Sequence, residues 1–251
     1  MGKARSGWRG LGLAIMAVLW LLAAPLAAQA QELVIACEEY PPYEFLEDGQ
    51  PRGLCVELVQ EAFQRLGREP VFRFMAWTQA LEQVQSGQAQ AIMSLYRTPQ
   101  REAFLVFPTR PLAEERVATM VRKGSGVRVR GVADLAGLRV GVNTGYAYGP
   151  LIDDLQGLDK VAAADPAALL RDLAEGRSDV ALGNELTLTH VARQLRLAHL
   201  LENQRTPSAA PLFIGLAKAQ GAQAQELAKG LDRVLKELED EGIARRIRAQ
   251  Y

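Results

Sequence analysis

Two histidines and two cysteines are the residues of this chain best suited to metal or nucleophile chemistry, and neither pair is spaced for it. His190 and His199 fall within or just after one predicted helix, with no zinc-type pairing of ligands, no serine elbow and no phosphate-cradling loop elsewhere. Both read as ordinary surface or packing residues, and no metal or cofactor is expected. General acid or base work would fall to Glu38, Glu39 and Glu185. Glu185 also reads as a first-turn acid favoured by its helix dipole. Cys37 and Cys55 form an even pair, which in an oxidising compartment admits a disulfide. Two separate buried thiols are the other reading, and the sequence leaves both open.

Which compartment is meant follows from the first thirty residues. Lys3, Arg5 and Arg9 precede an apolar run from Leu11 to Ala24, then Pro25 and the small-x-small triplet Ala28-Gln29-Ala30. That is a signal peptide, 1–30, cleaved after Ala30; an uncleaved anchor would lack the need for Pro25 and the triplet. The mature chain, from Gln31, is expected in the periplasm. It has no later apolar window of the roughly 18 residues that a membrane helix needs. The whole chain carries 29 basic and 29 acidic residues, so losing the three leader cations leaves a net charge of −3. A nucleic-acid partner is excluded on that ground.

The elements that must position the remaining polar residues alternate between strand and helix. Leu33 to Ala36 reads as a strand, followed by a proline turn at Tyr40-Pro41-Pro42-Tyr43. Gly53 precedes a helix with apolar positions Leu54, Leu58, Ala62, Phe63 and Leu66, closed by Gly67. Val71 to Met75 is a strand, Thr78 is placed to cap a helix ending at Gly87, and Ala91 to Leu95 is the next strand. Thr98-Pro99 opens a short helix. A second run follows: Val117 to Val121, Asp134 capping a short turn, Leu138 to Val142, a helix capped by Asp165-Pro166, Val180 to Leu182, and a helix opened by Asn184. Thr206 to Pro211 reads as a crossing loop before a strand at Leu212 to Ala217 and two helices from about Ala222 to Ala249. The expected class is α/β.

These pieces resemble the extracytoplasmic solute-binding proteins of family 3, with the type II periplasmic binding fold. The marks are Pro41-Pro42-Tyr43, Gly53-x-x-Val56-Glu57-Leu58, Trp77-x-x-Ala80-Leu81, Ala91-Ile92-Met93 leading to Thr98-Pro99-Gln100-Arg101, Asp134-Leu135-Ala136-Gly137, Gly141-Val142, Gly145 and Gly176-Arg177-x-Asp179. The resemblance implies two α/β lobes, 31–112 with a return at 212–251 and 113–211 between them. The two crossings would lie near 112–116 and 207–213. It also implies a small-molecule ligand in the interlobe cleft, an inner-membrane ABC permease as partner, and a monomer.

Carried over residue by residue, Arg101 aligns with the arginine that clamps a ligand carboxylate in amino-acid binders, a task suited to a planar guanidinium. A surface ion pair with Glu102 is its alternative. Tyr40 and Trp77 align with aromatic walls of the cleft, or else pack in the core. Gly145, Tyr146 and Ala147 belong to a loop whose backbone N–H groups would hold an anionic oxygen, or which is a turn with tyrosines packed for support. The departures are Asn184 where an acid holds the ligand ammonium, with Glu185 next to it; Cys37 at a second acidic position; and Tyr96 near a small hydroxyl position. A carboxylate anchor survives while ammonium anchors are weakened, so organic acids and modified amino acids enter beside ordinary ones. Two rivals accompany the transport reading: a ligand-sensing module for a membrane receptor, and a dehydratase-like enzyme on the same scaffold. Catalysis finds no support in the residues.

Overall fold

The computed structural model describes residues 32–251 and, at 205–208, the backbone alone. The signal peptide expected at 1–30 lies outside the described residues. Among those described, no helix is long and apolar enough to cross a membrane.

The chain opens with β1 (Leu33–Cys37), whose five residues are all buried, as a central parallel strand requires. After the Tyr40 to Tyr43 turn come β2 (Phe45–Glu47) and β3 (Gln50–Arg52), a hairpin turned on Asp48-Gly49. Both turn residues have positive φ, 51° and 75°, as a tight two-residue hairpin demands. Next are α1 (Leu54–Arg65), β4 (Pro70–Phe74), α2 (Trp77–Gln85), β5 (Ala91–Leu95), α3 (Pro99–Glu102), β6 (Leu105–Val106) and β7 (Ala113–Arg122). A 3-10 turn at Val132–Leu135 leads to β8 (Arg139–Asn143), α4 (Pro150–Asp153), β9 (Asp159–Ala163), α5 (Pro166–Ala174), β10 (Val180–Asn184) and α6 (Glu185–Gln194). The chain ends with β11 (Leu201–Ala217), α7 (Ala222–Asp240) and α8 (Ile243–Arg248).

The strands form one curled sheet in the order β4-β1-β5-β11-β7-β10-β8-β9, with β6 also on β11. Parallel pairs lie at both ends, β4-β1-β5 and β10-β8-β9, and antiparallel pairs in the middle. The 17-residue β11 joins them: Leu201 to Leu212 pairs with β7, and Phe213 to Ala217 with β5 and β6. Helices flank both halves, giving the two-lobed α/β fold.

Local chemistry explains most boundaries. Asp165, the expected cap, accepts from Ala168 N at 2.7 Å; Asn184 and Thr98, expected to open helices, cap them too, Asn184 Oδ1 accepting from Thr187 N at 3.0 Å and Thr98 Oγ1 from Arg101 N at 3.3 Å. Gly53 leads into α1 with φ 121°, and a Cβ there would lie 2.4 Å from the Tyr43 carbonyl oxygen. Only glycine fits. Three expectations are corrected. The helix at 77 starts at Trp77, behind Ala76, so Thr78 is inside it and caps nothing. Thr206 to Pro211 is strand, because Pro207, which has no N–H to give, falls where the β7 pairing shifts register between Arg205 and Ser208. Asp134 lies inside the 3-10 turn, whose cap position is Gly131, and does not cap it. Of the two readings left open for the cysteines, Cys37 and Cys55 are both buried and free.

Candidate functional site

The carboxyl ends of β1, β5, β8 and β10 converge on one cavity of about 30 Å³ between the halves of the sheet. Strand ends are where open α/β sheets leave a crevice, since the chain must turn away from the sheet to start the next helix. β1 delivers Glu38 and Tyr40, and β5 delivers Ser94, Leu95 and Tyr96. α2 adds Trp77, α3 adds Arg101 and β7 adds Glu115. The loop after β8 adds Tyr146, Ala147 and Tyr148, β10 adds Gly183 and Asn184, and β11 adds Leu212.

Arg101 is only 7% exposed and has no ion pair with Glu102, which instead binds Arg97 at 2.5 Å on the surface. Its Nη1 donates to the Tyr96 carbonyl at 2.9 Å and its Nη2 to the Gly145 carbonyl at 3.2 Å, while its guanidinium lies 5.2 Å from the Trp77 ring centroid. Burial pulls its pKa down to about 10, opposed by Asp153 and Glu38, so it stays a cation at neutral pH. A planar donor set bonded only to neutral carbonyls is poised to exchange them for a carboxylate, with which its bonds are stronger.

Facing it are acids. Glu38, Glu44 and Glu115 are all buried, and Arg101 is the buried cation beside them among the described residues. Glu115 accepts from Tyr40 Oη at 2.7 Å, from Asn184 Nδ2 at 2.9 Å and from Tyr96 Oη. Glu38 accepts from Tyr146 Oη at 2.7 Å. Glu44 accepts from Glu38 N at 3.0 Å and from Ser94 Oγ at 2.8 Å, where Ser94 is held at φ 58°. Burial raises all three carboxyls, Glu38 to about 8, because the charged form loses its water.

Of the residues singled out in the sequence, Tyr40, Trp77, Tyr96, Arg101, Tyr146, Ala147 and Asn184 line this cavity. Gly145 touches it through its carbonyl, which also accepts from Trp77 Nε1 at 2.9 Å. The loop therefore turns an acceptor toward the cleft at Gly145, and the N–H groups of Tyr146 and Tyr148 are bonded to Asn143 and Asp153. Glu185, half-buried in the first turn of α6, is not among the lining residues, nor are His190 and His199. Among the described residues no group of three or more His, Cys, Asp or Glu is placed to hold a metal ion.

Sequence reasoning missed Glu115, Ser94 and Tyr148, and weighed Glu38 only as a catalytic acid. A signal existed for Glu115. In β7 the buried face is Ala113, Glu115 and Val117, with exposed Glu114 and Arg116 between them, so an acid stands on the core phase of an alternating strand. Beside Asn184, where the sequence leads one to expect weakened ammonium anchors, the cavity thus holds two buried carboxyls, Glu38 and Glu115.

The profile of the bacterial extracellular solute-binding proteins, family 3, matches residues 33–251. The L-cystine-binding protein TcyJ of Escherichia coli (strain K12) is 27% identical over 158 residues, which span 62% of this chain and 59% of that protein. A histidine kinase sensor domain with similarity to periplasmic binding proteins superposes with a TM-score of 0.78 at 26% identity, covering 88% of this chain and 96% of that one. An ancestral arginine-binding protein bound to arginine has the same fold, with a TM-score of 0.75 at 21% identity over 88% and 97% of the two chains. With the whole of the chain from β1 to Tyr251 inside the profile, and with this fold, the protein belongs to the bacterial extracellular solute-binding proteins of family 3.

Proposed function

We propose that this protein captures a small amino-acid-like solute, bearing a carboxylate and at least one cationic nitrogen, between its two lobes and hands it to an ABC permease of the inner membrane. The observation that carries the reading is the juxtaposition of Arg101 with Glu38 and Glu115 in one cavity walled by Tyr40 and Trp77. Arg101 takes the carboxylate. An ammonium or guanidinium beside Glu38 favours its ionised form and replaces the water that burial removed. The aromatic faces hold the stem of the ligand. Relatives named for L-cystine and for arginine fit that class.

In this reading residues 1–30 direct export and are removed after Ala30, leaving a periplasmic monomer. The lobes are 31–112 with 212–251, and 113–211, and they close about the β7-β11 crossings at 112–116 and 207–213. Closure buries the ligand from both sides and creates a shape that a permease reads. The ligand leaves unchanged.

The test is a melting and Trp77 emission series with amino acids, organic acids and polyamines, because binding to the folded state raises its stability by mass action. A dose-dependent rise with an amino acid, lost in Arg101→Ala, supports the reading. A rise with simple dicarboxylates and none with any amine-bearing compound overturns it. A second reading, a sensing module that docks on a membrane receptor, draws on the similarity to a histidine kinase sensor domain. Ligand-dependent capture from solubilised membranes separates them by whether a permease or a receptor is retained.

A further inference from the structure

The dipeptide Gly145-Tyr146 makes three contacts with the opposite wall. The Gly145 carbonyl oxygen sits on Arg101 Nη2 at 3.2 Å and on Trp77 Nε1 at 2.9 Å. The Tyr146 ring lies edge-on between Trp77, at 5.6 Å and 75°, and Tyr40, at 6.0 Å and 79°. Its hydroxyl donates to Glu38 Oε1 at 2.7 Å. An oxygen on the guanidinium, an aromatic body between aromatic walls and a donor on the carboxylate are the three contacts that the proposed ligand would make.

Space enforces the same conclusion. About 30 Å³ remains beside the ring, room for one or two water molecules, whereas small-molecule pockets run to about 300 Å³ or more. With the lobes as close as they stand here, a ligand of amino-acid size and the Tyr146 phenol cannot share this cleft. Gly145 and Gly149 hold φ of 77° and 88° at the two ends of the loop, and Tyr148 is separately anchored through Asn143 N at 2.7 Å and Asp153.

We infer that Tyr146 is an internal occupant of the ligand cleft, which the solute must displace, and that it is the residue that sets ligand size and apparent affinity. The inference rests on the reading of this cavity as the ligand site. An occupied cleft lowers apparent affinity by the fraction of molecules in which the phenol has left it. Tyr146→Phe loses only the bond to Glu38, and Tyr146→Ala loses the ring as well.

Titrations of wild type, Tyr146→Phe and Tyr146→Ala with L-arginine as a compact probe and L-cystine as an extended one test it, with circular dichroism to confirm folding. The expected order of affinity is Ala above Phe above wild type, by about tenfold for Ala, with the larger gain for L-cystine. p-Cresol, the excised side chain, should compete with either probe in Tyr146→Ala and not in wild type. Binding by Tyr146→Ala with wild-type silence also supports the inference. Equal or weaker binding by a folded Tyr146→Ala of a probe that wild type binds overturns it and leaves the ligand site standing. Silence from all three proteins toward both probes and the wider amino-acid panel overturns the site reading and the inference together.

Discussion

Arg101 keeps its charge under 7% exposure because two backbone carbonyls and a tryptophan face solvate it in place of water. Those carbonyls are neutral, so a ligand carboxylate gains a charge-assisted pair that the resting contacts lack. Arg101→Ala is expected to weaken ligand binding about 100-fold, from the roughly 3 kcal/mol such buried pairs carry. Arg101→Lys should recover little of it, because an ammonium cannot reach two acceptors as a planar fork does. Isothermal titration measures both. Glu38 yields a pH signature. Its carboxyl rises from an ordinary 4.5 to about 8, so between those values the folded protein holds a proton that the unfolded chain releases. Its contribution to stability is therefore full below about pH 4.5, declines as pH climbs, and is gone above about 8. Melting temperature should fall across that window, and Glu38→Gln should flatten the fall in part, the rest coming from Glu44 and Glu115, which burial shifts in the same direction. An amine-bearing ligand that needs ionised Glu38 should bind more tightly as pH rises toward 8, and Glu38→Gln should remove that trend.

At the scale of elements, Asn184 serves two masters. Its Oδ1 caps α6 through Thr187 N, and its Nδ2 donates to Glu115 at 2.9 Å and to Tyr43 Oη at 3.1 Å. Asn184→Ala should cost about 1 kcal/mol for the cap alone, with more for the unpaired Glu115. Asn184→Asp keeps the cap and sets a second carboxylate against Glu115. It should be tolerated better at pH 5 than at pH 8, since like charges at that distance cannot both ionise. Denaturant unfolding at the two pH values decides it. The periodic face of α1 was legible in the sequence because a helix repeats its apolar residues at short range, and Leu54, Leu58, Ala62 and Phe63 are all buried. Phe63→Ala should cost about 3 to 5 kcal/mol, read as a shift of the unfolding midpoint. β9 was not legible: Asp159 to Val161 is largely exposed at a sheet edge, so it carries no apolar run to announce it. The β2-β3 hairpin hides for the same reason, with no buried residue in either strand.

Across the whole molecule, β11 couples the lobes by pairing with β7 over its first part and with β5 and β6 over its last. A solute that bridges Arg101 on one side and the Tyr146 loop on the other stabilises both at once. At 100 times its Kd it should add about 2.7 kcal/mol, a rise in melting temperature of roughly 5 to 10 °C for a chain this size. Trp77, the one tryptophan among the described residues, should report the same event, since its indole N–H is bonded to Gly145.

The order of the buried strands and the helices between them, the helix starts at Thr98, Asp165 and Asn184, and the approach of Arg101 to an aromatic-walled cleft were legible in the sequence, because each depends on residues near one another in the chain or on a motif set at fixed spacing. The charge of that cleft was decided by tertiary structure. Glu38 and Glu44 share the turn after β1, and Glu115 joins them only when β7 crosses between the halves of the sheet beside β11. The fate of Tyr146 was decided there too: periodicity assigns it to a loop, and only the closing of one lobe on the other sets its ring between Tyr40 and Trp77, since a side chain's partners across a cleft follow from packing and leave no pattern along the chain.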